Sequence, residues 1–383
     1  MSGHGDTLDT LETPGLLLDR IRMERNIQRV AERMEALGGM LRPHVKTHKC
    51  LAVTRAVVTR GPVRGLTVST LQEARYFFDN GYDDILYAVG IVPNKLDRVE
   101  ALVREGCRLT LTLDSVGMAQ QVAAEARRRD LPLPFLIELD TDGHRSGVLP
   151  ESPELLAIGE VLDGSTHCEL RGVMTHAGES YSCRTPEALL ALARQERDRS
   201  VLAAERLRAA GLPSPVVSIG STPTALAIDD LAGVTEVRAG VYVFFDLVMA
   251  GIGVCSLDDI ALSVLVSVVG HQRERQWAIT DGGWMALSRD RGTANKAVDE
   301  SYGLVLDRQG RQLEGLIVAS ANQEHGIIAR RDGKAPLPYE ALPLGGLLRV
   351  LPNHACSTAA QYGEFLVMEG DQVVDRWERT RGW

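Results

Sequence analysis

The sequence has no CxxC pair, no apolar run long enough to cross a bilayer and no excess of basic residues. Each absence removes a class of function. Its six cysteines (Cys50, Cys107, Cys168, Cys183, Cys255 and Cys356) are scattered over 383 residues. In a chain of that length they read as reduced thiols of a cytoplasmic protein, not as a disulfide framework. With 42 Lys and Arg against 51 Asp and Glu, the formal net charge is -9, and nothing forms the positive stripe that nucleic-acid phosphates require. A membrane span needs about 20 consecutive apolar residues, and no window supplies them. The opening MSGHGDTLDTLETPG has neither a basic n-region nor an apolar h-region, so no secretory leader is expected. Short repeats and low-complexity tracts are also missing. What remains is an ordinary globular composition, 44% apolar and 24% charged. It suits two domains, or one large barrel with an appendage, working on a small molecule.

What is present is an alternation. Eight β-rich runs, MLRPHVK, RGLTVST, DILYAVG, CRLTLTLD, PFLIELD, ELRGVMTH, PVVSIGST and TEVRAGVYVFFD, are separated by helical stretches such as NKLDRVEALVREG. Near-continuously apolar strands are covered on both faces. Strand followed by helix or connection, eight times, predicts an α/β fold of (β/α)8 TIM barrel type. From about Asp258 the rhythm changes to strands joined by short Gly- and Asp-bearing turns, which predicts an antiparallel β domain. The early strand TLETPGLLLD has no obvious barrel partner and is expected to join it. The expected domains are therefore a barrel over residues 16–255 and a β domain over residues 1–15 plus 256–383.

Barrel chemistry sits at the C-terminal ends of the strands, so the residues ending each run are the candidates. They include Lys46, Ser69 and Thr70, Asp114, Asp140 followed by His144 and Arg145, and Thr175 and His176; the eighth run contains Arg238. A lysine beside Arg42, His44 and His48, partly desolvated, loses proton affinity and can form a Schiff base with a carbonyl; a lysine snorkelling at a strand end is the alternative. Lys49 is the decoy, three residues past Lys46. In SIGSTPT, the turn around Gly220, Ser221 and Thr222 offers N–H groups and hydroxyls to a phosphate, and Tyr242 is either a further donor or a rim aromatic. Arg238 and His176 form either a structural ion-pair layer or the partners of a pyridine nitrogen. His354 and Cys356 stand two apart, which places both on one face of an extended backbone. They are either a core pair or two ligands of an open divalent-metal site.

Taken together, RPHVKTHK, DTDGHRSGV, GVMTHAG, GSTPT, VRAGVYVFFD, ANQEHG and LPNHAC resemble the fold-type III pyridoxal-phosphate enzymes, in the D-serine dehydratase and D-threonine aldolase branch. The resemblance runs over nearly the whole chain. It implies an alanine racemase-like barrel with a C-terminal β domain, in a head-to-tail homodimer. It implies that Lys46 carries pyridoxal 5'-phosphate, with Arg145 and Tyr181 beside it. Gly220, Ser221, Thr222 and Tyr242 would hold the phosphate, and His176 with Arg238 would face the ring nitrogen. His354 and Cys356 would bind a divalent metal, zinc first, with Mn, Co or Mg as alternatives. A Cys as second ligand looks like the dehydratases, where aldolase-type members show Asp.

The activity implied is dehydration of a β-hydroxy D-amino acid to a 2-oxo acid and ammonia. For 3-hydroxyaspartate the product is oxaloacetate; for serine it is pyruvate. Arg145, Arg289 and Arg291 are candidates for a second substrate carboxylate, or are solvated loop charges. Three rivals stand beside this reading: a metal-dependent aldolase releasing glycine and an aldehyde, an amino-acid racemase, and a non-catalytic pyridoxal-phosphate carrier. The racemase lacks a convincing tyrosine base, and the carrier would have no use for the β domain.

Overall fold

The structure, a computed structural model, describes residues 7–383. Residues 1–6 of the expected β-domain segment lie outside the described residues. The chain divides into two compact units, residues 1–27 with 241–379, and residues 28–240 with 380–383. In chain order the first strand, β1 (Gly15–Asp19), belongs to the first unit.

The second unit carries seven parallel strands. They are β2 (Leu66–Val68), β3 (Asp84–Gly90), β4 (Arg108–Leu113), β5 (Leu133–Leu139), β6 (Cys168–Thr175), β7 (Val216–Ile219) and β8 (Glu236–Val237), paired in that order. Both faces of β5 are buried from Phe135 to Leu139, because side chains fill the interior and helices cover the outside. The helices start at side-chain caps: Thr70 accepts from the N–H of Glu73, Ser115 from Met118 and Thr185 from Ala188.

The run expected as the first barrel strand is not a regular strand. Leu41 bridges to Val237 on one side and to Val63 on the other, and His44 bridges to Thr67. The N–H groups of Arg42 and His44 donate to the carbonyls of Val237 and Ala239, each at 2.8 Å, and Thr67 N–H donates to Pro43 at 2.9 Å. Residues 41–44 thus close the ring between β8 and β2. Pro43 has no N–H to give, so the ladder breaks there. The chain then leaves as a turn, residues 45–48, with Lys46 on it. The eighth expected run is also mostly irregular: only Glu236–Val237 is strand, and Val241–Val243 is a single 3₁₀ turn.

The first unit holds the antiparallel strands β9 (Leu262–Gln272), β10 (Trp277–Thr280), β11 (Leu304–Leu306), β12 (Gln312–Ala321), β13 (Gly326–Arg330), β14 (Leu347–Leu351), β15 (Glu364–Glu369) and β16 (Gln372–Glu378). The sheet order is β10-β13-β12-β11-β14-β9-β1-β15-β16, and β9 pairs with β10 as well. The long strand β9 therefore closes a ring of six strands, which leaves those strands no open edge. β1 lies antiparallel to β9 and parallel to β15. Leu8, Leu17, Leu265, Leu366, Met368 and Val373 form the cluster beneath it. Among the described residues no helix is long and apolar enough to cross a membrane.

Candidate active site

At the strand ends of the barrel unit, four basic groups converge on His44. Burial first, then the charges of Lys46, Arg238, His176 and His48, hold the His44 imidazole well below the usual histidine range. Lys46 lies on the turn that follows the broken ladder, with its N–H directed at His44 Nδ1, 3.4 Å away. Two expectations need correcting. The Lys46 side chain is exposed rather than desolvated. Arg42 is not at its side, because its guanidinium is held by Glu236 at 2.8 Å and Asp84 at 2.8 Å. Lys49 is a structural lysine, ion-paired at 3.0 Å with the buried Glu73.

His176 follows β6. Its Nδ1 bonds the carbonyl of Gly220 at 3.2 Å. A carbonyl only accepts, so Nδ1 carries the proton and Nε2 is left as an acceptor. Burial, then the charges of Lys46, Arg145 and Arg238, lower its pKa to about 3. The Tyr181 ring lies 6.2 Å from the His176 ring, tilted by 49°. Arg145 is exposed on the loop after β5, near enough for its charge to be felt at His176. That loop is tied down: Asp140 accepts from Gly143 N–H at 2.6 Å, and Asp114 from Gly147 N–H at 3.1 Å.

The turn after β7 begins at Gly220, with φ of +130°. A Cβ there would stand 2.3 Å from the Arg238 carbonyl, so only glycine fits. Ser221 caps the short helix Thr222–Ala227, accepting from Thr224 N–H at 3.2 Å, and it meets Ser180 Oγ at 3.0 Å. The Thr222 hydroxyl is buried and has no partner. Sequence reading missed Glu196. One of its oxygens accepts from the N–H of Gly220 and of Ala177, both at 3.0 Å, and burial pushes its pKa up. It binds the two site turns to each other, yet in the sequence it is one more acid in a long charged helix. Arg238, 3% exposed, donates to Ser218 Oγ at 2.5 Å and to the carbonyl of Thr175.

The remaining candidates lie in the other unit. Tyr242 is 1% exposed, its hydroxyl has no partner, and burial raises its pKa. His354 precedes the short helix Ala355–Ala359, which contains Cys356. The pair is therefore not on an extended backbone as expected, but the first turn of the helix still brings the thiol within hydrogen-bonding reach of the imidazole. His354 Nδ1 donates to Asp290 Oδ2 at 2.7 Å, and Ser357 Oγ bonds the same oxygen at 2.9 Å. That leaves Nε2 for a ligand, the arrangement a metal-binding histidine needs. Burial lowers the His354 pKa, but Cys356, Asp290 and Asp246 outweigh it and raise it to about 11. The surroundings thus favour a positive charge at this spot. Among the described residues no three His, Cys, Asp or Glu side chains form a ready metal cluster. The pair fits an open site rather than a closed structural one. Asp290 gives no signal of its own in the sequence, where it stands as one charge between Arg289 and Arg291. Arg291 pairs with Asp299 at 2.6 Å, and Arg289 stacks on Trp284, 4.7 Å from the ring centre.

Residues 18–248 match the family described as alanine racemase, N-terminal domain, and residues 261–368 match a serine dehydratase domain. Among similar proteins, D-threo-3-hydroxyaspartate dehydratase of Delftia sp. (strain HT23) is 56% identical over 381 residues, covering 99% of this chain and 100% of that one. Its solved structure superposes with a TM-score of 0.96 over 99% of this chain and 100% of that chain. A cysteine-to-alanine variant of it in a metal-free form matches equally well, with a TM-score of 0.96. D-serine dehydratase of Dictyostelium discoideum is 28% identical over 100% of both chains. The structure of D-threonine aldolase from Filomicrobium marinum is 25% identical, with a TM-score of 0.83 over 98% of this chain and 96% of that one. The two matched domains, in this order on this fold, define a fold-type III pyridoxal-phosphate enzyme. The chain belongs to the alanine racemase-like family, in its serine dehydratase branch.

Proposed function

We propose that the chain is a lyase that dehydrates β-hydroxy D-amino acids with pyridoxal 5'-phosphate and a divalent metal. D-threo-3-hydroxyaspartate is the first substrate, giving oxaloacetate and ammonia, and D-serine is the second, giving pyruvate and ammonia. The observation that carries this reading is the His354–Cys356 pair with Asp290 behind it. A β-hydroxyl is a poor leaving group, and a site built to attract a cation answers that need.

When bound, pyridoxal phosphate supplies an electron sink and the metal supplies Lewis acidity at the β-hydroxyl. The chain does the rest. The Lys46 amine would hold the cofactor through its carbonyl group and would serve as the base for the substrate's α-proton on one side, which would set D-specificity. Ser221, Thr222, Tyr242 and the Gly220 backbone receive the phosphate; the unpartnered hydroxyls of Thr222 and Tyr242 fit such an acceptor-rich group. Arg238 would face the pyridine nitrogen, and a guanidinium that keeps its protons would leave that nitrogen unprotonated. His176, neutral at working pH, orients this layer, while Tyr181 and Arg145 lie beside the cofactor. Arg145 is also the better candidate for a second substrate carboxylate, since Arg291 is paired and Arg289 is stacked. His354 and Cys356 hold the metal, with zinc suited to the imidazole–thiolate set. The eliminated enamine hydrolyses in water to the 2-oxo acid and ammonia. The working form is a cytoplasmic homodimer.

The deciding experiment incubates the purified enzyme with D-threo-3-hydroxyaspartate, D-serine and D-threonine, with and without a chelator. Ammonia, lost on chelation, is expected. Glycine in place of ammonia would make the enzyme an aldolase. A cofactor-loaded protein inert toward all three would leave it a carrier.

A further inference from the structure

Arg238 is bound into a buried polar line that runs across the barrel interior. Ser218 on β7 and Glu236 on β8 are register partners, so their side chains lie on the same face of the sheet. Ser218 Oγ donates to Glu236 Oε1 at 2.7 Å and accepts from Arg238 Nη1 at 2.5 Å. The other Glu236 oxygen accepts from Arg42 Nε at 2.8 Å, and Arg42 continues to Asp84 at 2.8 Å. Ser218 is 0% exposed, Glu236 2% and Arg42 8%. Removing that many charges from water is expensive, and an apolar layer of the same volume is often as stable or more so. The line therefore has to be explained by what it orients.

The direction of each bond is fixed by chemistry. An ionised carboxylate can only accept, and a guanidinium can only donate. The single Ser218 proton is therefore drawn to Glu236, and the hydroxyl oxygen is turned to Arg238. With the Thr175 carbonyl as second anchor, the guanidinium is gripped from two strands. We propose that Ser218 and Glu236 are positioning residues that hold the Arg238 guanidinium in one orientation toward the cofactor's pyridine nitrogen. This rests on the assignment of Arg238 to that nitrogen.

The test uses protein loaded with pyridoxal phosphate, without substrate. Three properties are measured: the absorbance of the bound cofactor, the pH titration of that absorbance, and the affinity for pyridoxal phosphate. Ser218→Ala removes one hydrogen bond to a charged group, so affinity should fall about tenfold and the titration should move. Glu236→Gln should move the titration in the same direction, and it carries the test alone if Ser218→Ala does not fold. Ser200→Ala, which removes a buried hydroxyl bonded to the Glu196 carbonyl, should lower the melting temperature and leave all three cofactor properties unchanged. Wild-type spectra, titration and affinity in Ser218→Ala and Glu236→Gln, alongside altered values in Arg238→Gln, would overturn the positioning role alone. Unchanged values in Arg238→Gln would overturn the assignment of Arg238 itself.

Discussion

His176 and His354 are both half-buried, yet one has its pKa lowered to about 3 and the other raised to about 11. Burial lowers both. The difference lies in the neighbours: Lys46, Arg145 and Arg238 around His176, and Cys356, Asp290 and Asp246 around His354. The barrel unit thus presents a positive site, which suits a phosphorylated anion, and the β unit presents a negative one, which suits a metal cation. One residue type, read by the sign of its surroundings, tells two ligand chemistries apart.

The largest effects should follow from removing the group that anchors each site. Lys46→Ala should cost at least about 10²–10⁴-fold in turnover and abolish borohydride labelling at that position, with the β unit's metal content unchanged. Cys356→Ala should also stop turnover, but by the opposite route: cofactor absorbance is kept and metal, measured by elemental analysis, is lost. Full activity in Cys356→Ala would sink the contrast between the two sites. Asp290→Asn is milder, because it removes only the carboxylate that holds the His354 ring. Metal affinity should fall about 10–100-fold, and added metal should restore activity.

Much of this contrast was legible in the sequence. Lys46, His176 and Gly220 stand out by ending apolar runs and Arg238 by lying within one, since strand period and strand ends are written into side-chain pattern. What failed to show were features set by groups far apart in the chain. Pro43 forbids a regular first strand, yet the ring still closes because Arg42 and His44 donate on either side of it. Glu196 and Asp290 matter through backbone N–H groups and an imidazole that only folding brings near. The His-x-Cys spacing brought the two side chains together by an extended backbone, whereas in the structure a helix beginning at Ala355 does so.

A smaller effect should test the phosphate assignment. Thr222→Val and Tyr242→Phe each remove a buried hydroxyl that has no partner in the protein. Such a group costs desolvation and returns nothing until an acceptor arrives. Each substitution should therefore leave the melting temperature of the cofactor-free protein unchanged or slightly higher, while affinity for pyridoxal phosphate falls about tenfold. If affinity survives in both variants, the phosphate is held elsewhere.

The smallest effect concerns acid stability. A histidine whose folded pKa is lowered refuses a proton that the unfolded chain accepts. Between about pH 6.5 and 3, the range set by the ordinary and folded values of His176, unfolding takes up a proton. Stability is then complete above 6.5 and falls as the pH drops toward 3. His44, also held low, contributes in the same direction, so the informative quantity is the difference between variants. His176→Gln in cofactor-free protein should cost about 1 kcal/mol near neutrality, for the bond to Gly220, and should make the melting temperature fall less steeply below pH 6. An acid limb as steep as that of the wild type would mean that His176 is already protonated in the folded protein, and the positive site would have to be redrawn with that charge inside it.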